Sequence, residues 1–260
     1  MELTKPPVIE VGVEFHFDPR PDKQPWDPAV AVPFIDLFQG EYPHVEVIQE
    51  EKIRIEKRTP DGTPKAISGK ISLDRVRARN EEGSRWLQVG NDLLVYSFVR
   101  KGETYPGFRE LCTEALHKLD SYVEHFQPVA VHRTALTYLD LIEIPVPAGA
   151  TIQLEDYFRL RVETPEETFG PIGYVSLRLF FPQTETRDQL LLWFDTVPTK
   201  PGEGILRFQM HWKCICEDVA SLNKEEIRLR LDRAHRRLVD CFRDSFTERG
   251  WALFGPIGSS

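Results

Sequence analysis

Two stretches of the chain read as one-sided helices, and they dictate most of what the rest must do. Phe108, Leu111, Cys112, Ala115, Leu119, Tyr122, Val123 and Phe126 recur at steps of three and four, which makes a single apolar stripe on a helix. Pro106 suits its first turn and Pro128 stops it. The pattern returns over 223 to 249, where Ile227, Leu231, Ala234, Leu238, Cys241, Phe242 and Phe246 line one side. Asn223 and Glu226 form a capping-box-like pair at its start, and Gly250 marks its end. A single stripe has to be covered, and the remaining apolar segments mostly alternate with period two. The cover is therefore a sheet.

Strands are expected at 8–17, 44–57, 70–79, 85–89 and 93–99, with Gly90-Asn91-Asp92 as a hairpin turn between the last two. A long strand follows at 129–147, and further strands at 174–181, 190–196 and 205–217. Short helices are expected near 29–41 and 154–160, and TPDGTP at 59–64 is a turn sequence. The proline-rich DPRPDKQPWDP ends the first strand, and AGAT at 148–151 marks a midpoint. The expectation is an α+β fold of antiparallel sheet in two pseudo-related halves, 1–147 and 148–260, each covered by a long amphipathic helix. No residue-level repeat accompanies it.

Charge and motif content narrow the function classes. A net charge of −8 does not steer the whole molecule toward nucleic acid or an anionic membrane. No run of about 18 apolar residues occurs, and MELTKPP lacks a basic segment leading into an apolar one, so a cytoplasmic protein is expected. Four cysteines are too few for a disulfide scaffold, and Cys214-Ile215-Cys216 lacks the second ligand pair of a closed zinc site. P-loop, GxGxxG, GxSxG and HExxH motifs are missing. No cofactor is expected.

The polar strand faces carry the candidate sites. On the first strand Ile9, Val11, Val13, Phe15 and Phe17 alternate with Glu10, Gly12, Glu14 and His16. Alternate residues lie about 6.5 to 7 Å apart, so Glu14 and His16 could share a metal ion that Glu10 could not reach. A triphosphate-cleaving tunnel would want ExExK here, and this strand offers ExxxE with no following lysine. Arg75, Arg77 and Arg79 form one basic strand face, and Arg207, His211 and Lys213 another, the pair of them suited to track phosphates. Trp86, Trp193 and Trp212 read as core. Arg133 lies opposite in pleat to Tyr138 and Asp140, and a buried arginine there would need a carboxylate partner. The tail residues Trp251, Leu253 and Phe254 either dock on the body or enter an interface.

Several segments taken in order resemble a known family. The opening PPVIEV, then SRWLQVGNDLLVYSFVR, YPGFRELCTEAL and HRTALTYLDLIEIP, are similar to a sporadically distributed, uncharacterised family of prokaryotic proteins. The resemblance implies a cytosolic protein of mobile or defence-associated gene neighbourhoods, and it brings no catalytic residues with it. Where that family tends to carry Arg-Tyr-Asn on the midpoint strand, this chain has Tyr138, Leu139 and Asp140. The leading expectation is a non-enzymatic binding or regulatory component, in an antiphage or toxin-antitoxin setting, that contacts a protein partner or a second copy of itself. The runner-up is a nucleic-acid or nucleotide-binding component using Arg75, Arg77, Arg207, His211 and Lys213, with Arg133 and Asp140 as further polar positions. A metal-dependent hydrolase centred on Glu14 and His16 stands third. No membrane contact is expected.

Overall fold

The computed structural model describes residues 3, 5–18, 27–48, 51–53, 70–72, 75–90, 92–102, 104–147, 152–161, 174–182, 187–200, 202–217 and 221–255. The proline-rich loop, the 59–64 turn and AGAT lie wholly or mainly outside that set. In chain order the elements are β1 (Val8–Phe17), α1 (Val32–Asp36), β2 (His44–Ile48), β3 (Glu51–Ile53), β4 (Lys70–Ser72), β5 (Arg75–Arg79), β6 (Arg85–Gly90) and β7 (Leu93–Val99). There follow α2 (Phe108–Phe126), β8 (Val131–Pro145), β9 (Ser176–Pro182), β10 (Gln189–Val197), β11 (Ile205–Cys216), α3 (Lys224–Asp244) and α4 (Glu248–Ala252). The protein is α+β. β3 and β4 pair with each other, and the other strands form one antiparallel nine-stranded sheet, ordered β2-β5-β6-β7-β1-β8-β11-β10-β9. No helix among the described residues is long and apolar enough to cross a membrane.

Both long helices lie on one side of this sheet, α2 over β7 and β1, and α3 over β11 and β8. Their stripes meet the inward side chains of the central strands, and Val11, Val13, Phe15, Leu94, Phe98, Leu136 and Met210 are all buried there. Gln127 takes a left-handed conformation (φ 47°) as its N–H bonds Val123 O, closing α2 ahead of Pro128. At α3 the Asn223 side chain accepts from the N–H groups of Glu225 and Glu226 at 2.9 and 3.3 Å, satisfying two of the helix's free donors. A polar contact ties both helices to β8: Tyr138 Oη meets His235 Nδ1 on α3 at 2.9 Å and Tyr105 Oη at 3.2 Å, while Phe108 of α2 stacks on His235.

The last helix stops earlier than its sequence pattern predicts. Arg159 N–H donates to Ser245 O, and Thr247 N–H donates to Tyr157 O, so a strand-like pairing intrudes at 245–247. Thr247 then caps α4 through the Gly250 N–H. Phe246, fully buried, packs against Phe158, Phe242, Trp251 and Phe254. The tail therefore docks on the body.

Among the described residues the opposite side of the sheet carries no helix, and it is curled. β5 and β10 are six steps apart in the strand order, which in a flat sheet would separate them by about 29 Å. Yet Arg75 of β5 and Trp193 of β10 line the same cavity of about 400 Å³. The polar face is therefore concave.

Candidate binding basin on the open sheet face

The floor of the basin follows from register. Ser97 of β7, Gly12 of β1 and Thr137 of β8 lie side by side, and a Cβ at Gly12 would sit only 3.4 Å from Ser97 Oγ. Three small residues in a row leave a trough across the middle of the sheet. Glu14 and Glu10 stand on either side of Gly12 on the same strand face.

Glu14 is the node of the basin. Lys213 Nζ donates to its Oε1 at 2.6 Å, and His16 Nε2 lies 3.1 Å from Oε2. Arg133 donates to His16 Nδ1 at 2.9 Å, which makes Nδ1 the acceptor and leaves the ring proton on Nε2 for Glu14. The result is a relay from Arg133 through His16 to Glu14, closed by Lys213. Burial alone would raise the Glu14 carboxyl, but the His16 hydrogen bond and the Lys213 ammonium together hold it down at about 2. Burial, reinforced by Arg133, lowers His16 and keeps it neutral. Glu10 is raised by burial, with Arg77 acting against the shift.

The walls carry cations and rings. Trp193 and His211 face each other across paired positions of β10 and β11, their centroids 4.5 Å apart and their planes 34° from parallel. Burial, helped by the nearby Lys213, lowers His211 to about 4, so this imidazole is uncharged at neutral pH. Arg75 lines the opposite wall beside Gln88, and among the described residues it makes no hydrogen bond or ion pair. The Nε atoms of Arg77 and Arg133 and Nε2 of His211 are buried without a hydrogen-bond partner among the described residues. The two Nε–H groups are donors without an acceptor, and Nε2 of the neutral His211 ring donates or accepts according to its tautomer.

No family model matches the chain, and no curated protein matches it in sequence. The reading of this face rests on its geometry.

Of the residues singled out from sequence, Glu14, His16, Arg75, His211 and Lys213 line the basin, and Arg133 joins it through His16. Arg77 lies beside it, its guanidinium over the Trp86 ring at 4.6 Å and its NH1 3.4 Å from Glu46. Arg207 stands apart, held by Glu143 and Glu203 at 2.8 Å each. Asp140 is on the helix side, 3% exposed, with burial raising it to about 8 against the pull of Arg100. Arg133 takes its partner from His16 rather than from the expected carboxylate. Trp212 is core, 5% exposed, but Trp193 lies on the polar face.

Sequence reasoning missed Trp193, Gln88, Ser97 and Thr137 as basin residues. β10 reads LLLWF through its centre, and a run so evenly apolar has no parity from which to choose a face. The lysine absent from β1 is supplied by β11.

The cysteine pair also gains a neighbour. The ligand atoms of Asp188, Cys214 and Cys216 lie within 4.8 Å of one another, all three residues buried beneath α3. Both Asp188 oxygens, however, are held at 3.0 Å by the guanidinium of Arg233, and the Cys216 thiol is pushed far up by its bond with Cys214 and by burial. A protonated Cys216 thiol beside a satisfied ion pair accounts for this cluster.

Proposed function

We propose that this protein is a binding component, without hydrolytic chemistry, that holds a small phosphorylated ligand in the basin of its sheet. The observation that carries the reading is the set of donors on one concave face that find no acceptor among the described residues: Arg75, and the buried Nε atoms of Arg77 and Arg133. A buried donor without an acceptor costs free energy, and a phosphate offers several strong acceptors at once. The metal-dependent alternative has less support. His16 uses one ring nitrogen as donor and the other as acceptor, and Glu14 has an oxygen on Lys213 and another on His16. A divalent cation would have to displace two cationic side chains to reach them.

The test is calorimetric titration with inorganic pyrophosphate and tripolyphosphate. A hydrogen bond to a charged group contributes about 1.5–3 kcal/mol, so Arg75→Ala should weaken binding by roughly 10- to 100-fold, and added salt should weaken it further. Failure of every phosphate compound to bind, or indifference to Arg75→Ala, overturns the proposal.

A role through protein contacts is supported by a separate feature. β9 is an edge strand, and Phe180 on it is 55% exposed, with Tyr174 just before it at 61%. Such an edge suits pairing with a second copy or another protein. Sedimentation equilibrium of the parent and Phe180→Asp proteins tests this, a monomer in both cases counting against it. The resemblance to the sporadic prokaryotic family supports the same cytosolic setting.

We also infer that the sheet is built from two related halves. The strand order β1-β7-β6-β5 is matched by β8-β11-β10-β9, and in each series a long helix follows the last strand. On that reading the junction falls ahead of β8, near Pro128. Glu14, His16 and Arg75 then come from one half, and Arg133, His211, Lys213 and Trp193 from the other.

A further inference from the structure

We infer that the ligand is a nucleoside phosphate, its base stacked on the Trp193–His211 pair and its phosphate turned toward Arg75. This rests on the reading of the basin as a phosphate site and adds what occupies the other end. The two walls differ in chemistry. One presents two aromatic rings, with Trp193 bordering the cavity while Leu192 and Phe194 on either side of it are buried. The other presents the Arg75 guanidinium, which makes no hydrogen bond or ion pair among the described residues. A flat, uncharged, heteroatom-bearing ring is what a neutral imidazole tilted against an indole can accept, and the buried His211 Nε2 has no hydrogen-bond partner among the described residues. Every base offers a π-face to such a platform.

Between the walls the floor is low, and Glu14, flanking Gly12, already has its charge met by Lys213 and His16. Ser97 and Thr137 supply hydroxyls and Gln88 adds an amide, groups suited to a sugar. The basin, about 400 Å³, falls within the usual range for one small molecule, about 300–1,000 Å³. A longer polyanion fits less well. Arg207 is neutralised by Glu143 and Glu203, Arg178 by Asp195, and Arg77 reaches toward Glu46. Among the described residues Arg79 is the one cation on these strand faces beyond the basin without such a partner, so the cations do not continue as a phosphate track along the strands. The overall charge of −8 acts in the same direction.

Fluorescence and calorimetric titrations of the full chain test the proposal with four probes: a nucleoside monophosphate, ribose 5-phosphate, inorganic pyrophosphate and an oligothymidylate. Base stacking predicts that the nucleotide binds roughly 5- to 150-fold more tightly than ribose 5-phosphate. Trp193→Ala should erase that difference while leaving ribose 5-phosphate affinity unchanged, and Trp193→Phe, which keeps an aromatic face, should restore most of it. Gly12→Leu, which fills the trough, should abolish binding of both. If ribose 5-phosphate or pyrophosphate binds as tightly as the nucleotide, the base assignment is overturned and the phosphate site survives. If none of the probes binds, both readings fall together. Affinity for oligothymidylate that rises with its length overturns the assignment in favour of a single strand.

Discussion

Replacing Asp140 with asparagine should stabilise this protein, and more so as the pH rises. The carboxyl sits on the helix side of β8, 3% exposed, and among the described residues it has no hydrogen-bond partner. Burial raises it to about 8. In the unfolded chain the same group ionises near 3.9. Between those two values the unfolded state sheds a proton that the folded state keeps, so folding stability falls as the pH climbs. The slope approaches about 1.4 kcal/mol per pH unit, which over the three units from 4 to 7 amounts to about 4 kcal/mol. Asparagine has nearly the same shape and no proton to lose. Urea denaturation of parent and Asp140→Asn proteins at pH 5 and pH 7 should therefore show a stability difference that grows by about 3 kcal/mol over those two units. A difference independent of pH would mean that Asp140 is already ionised in the folded state and held by Arg100, and the reasoning would be refuted.

The basin has the opposite pH sign. Because His16 and Lys213 hold Glu14 at about 2, its stabilisation is complete above the ordinary carboxylate pKa and is lost as pH falls toward 2. Glu14→Gln should then cost about 3 kcal/mol at pH 7, with the melting difference from the parent closing in acid; a constant difference would count against the relay. Gly250→Ala should destabilise even though Gly250 is helical, where alanine normally gains about 1 kcal/mol. An added Cβ would lie 2.2 Å from Tyr157 O and 3.0 Å from Phe246 Cδ1, and overpacking of that kind costs about 1–3 kcal/mol. An unchanged or raised melting temperature would show that the 157–159 segment can move aside.

The elements were legible in the chain, and their arrangement was legible only in part. β1 could be read because Val11, Val13, Phe15 and Phe17 alternate with polar residues, and α2 and α3 because their stripes recur over several turns. Arg133 and Asp140 were correctly assigned to opposite faces by parity alone. The basin was hidden for a different reason. Glu14 and Lys213 are 199 positions apart, and nothing local in either segment encodes their contact. It depends on β1 and β11 both pairing with β8, and on the registers of those two pairings. The end of α3 was hidden in the same way, since its helical pattern continues through 245–247 while distant backbone groups at 157–159 claim those residues.

β8 explains how one sheet serves two purposes. As a central strand it sends alternate side chains to opposite sides, and the two sides have different solvents. Toward the helices, Leu136, Tyr138, Ile142 and Ile144 join the core, and even Asp140 is held as an uncharged acid. Toward the concavity, Arg133 aims its guanidinium into the His16–Glu14 relay. A ligand that neutralises the basin stabilises the fold by mass action, but it does so through groups that Asp140 does not touch. Changes on the two sides should therefore add. Asp140→Asn combined with Arg75→Ala should show the stability of the first and the binding defect of the second, because sites that share no partner couple by only about 0.3–0.5 kcal/mol. A larger coupling would mean that the strand transmits strain from one face to the other and that the helix side takes part in binding.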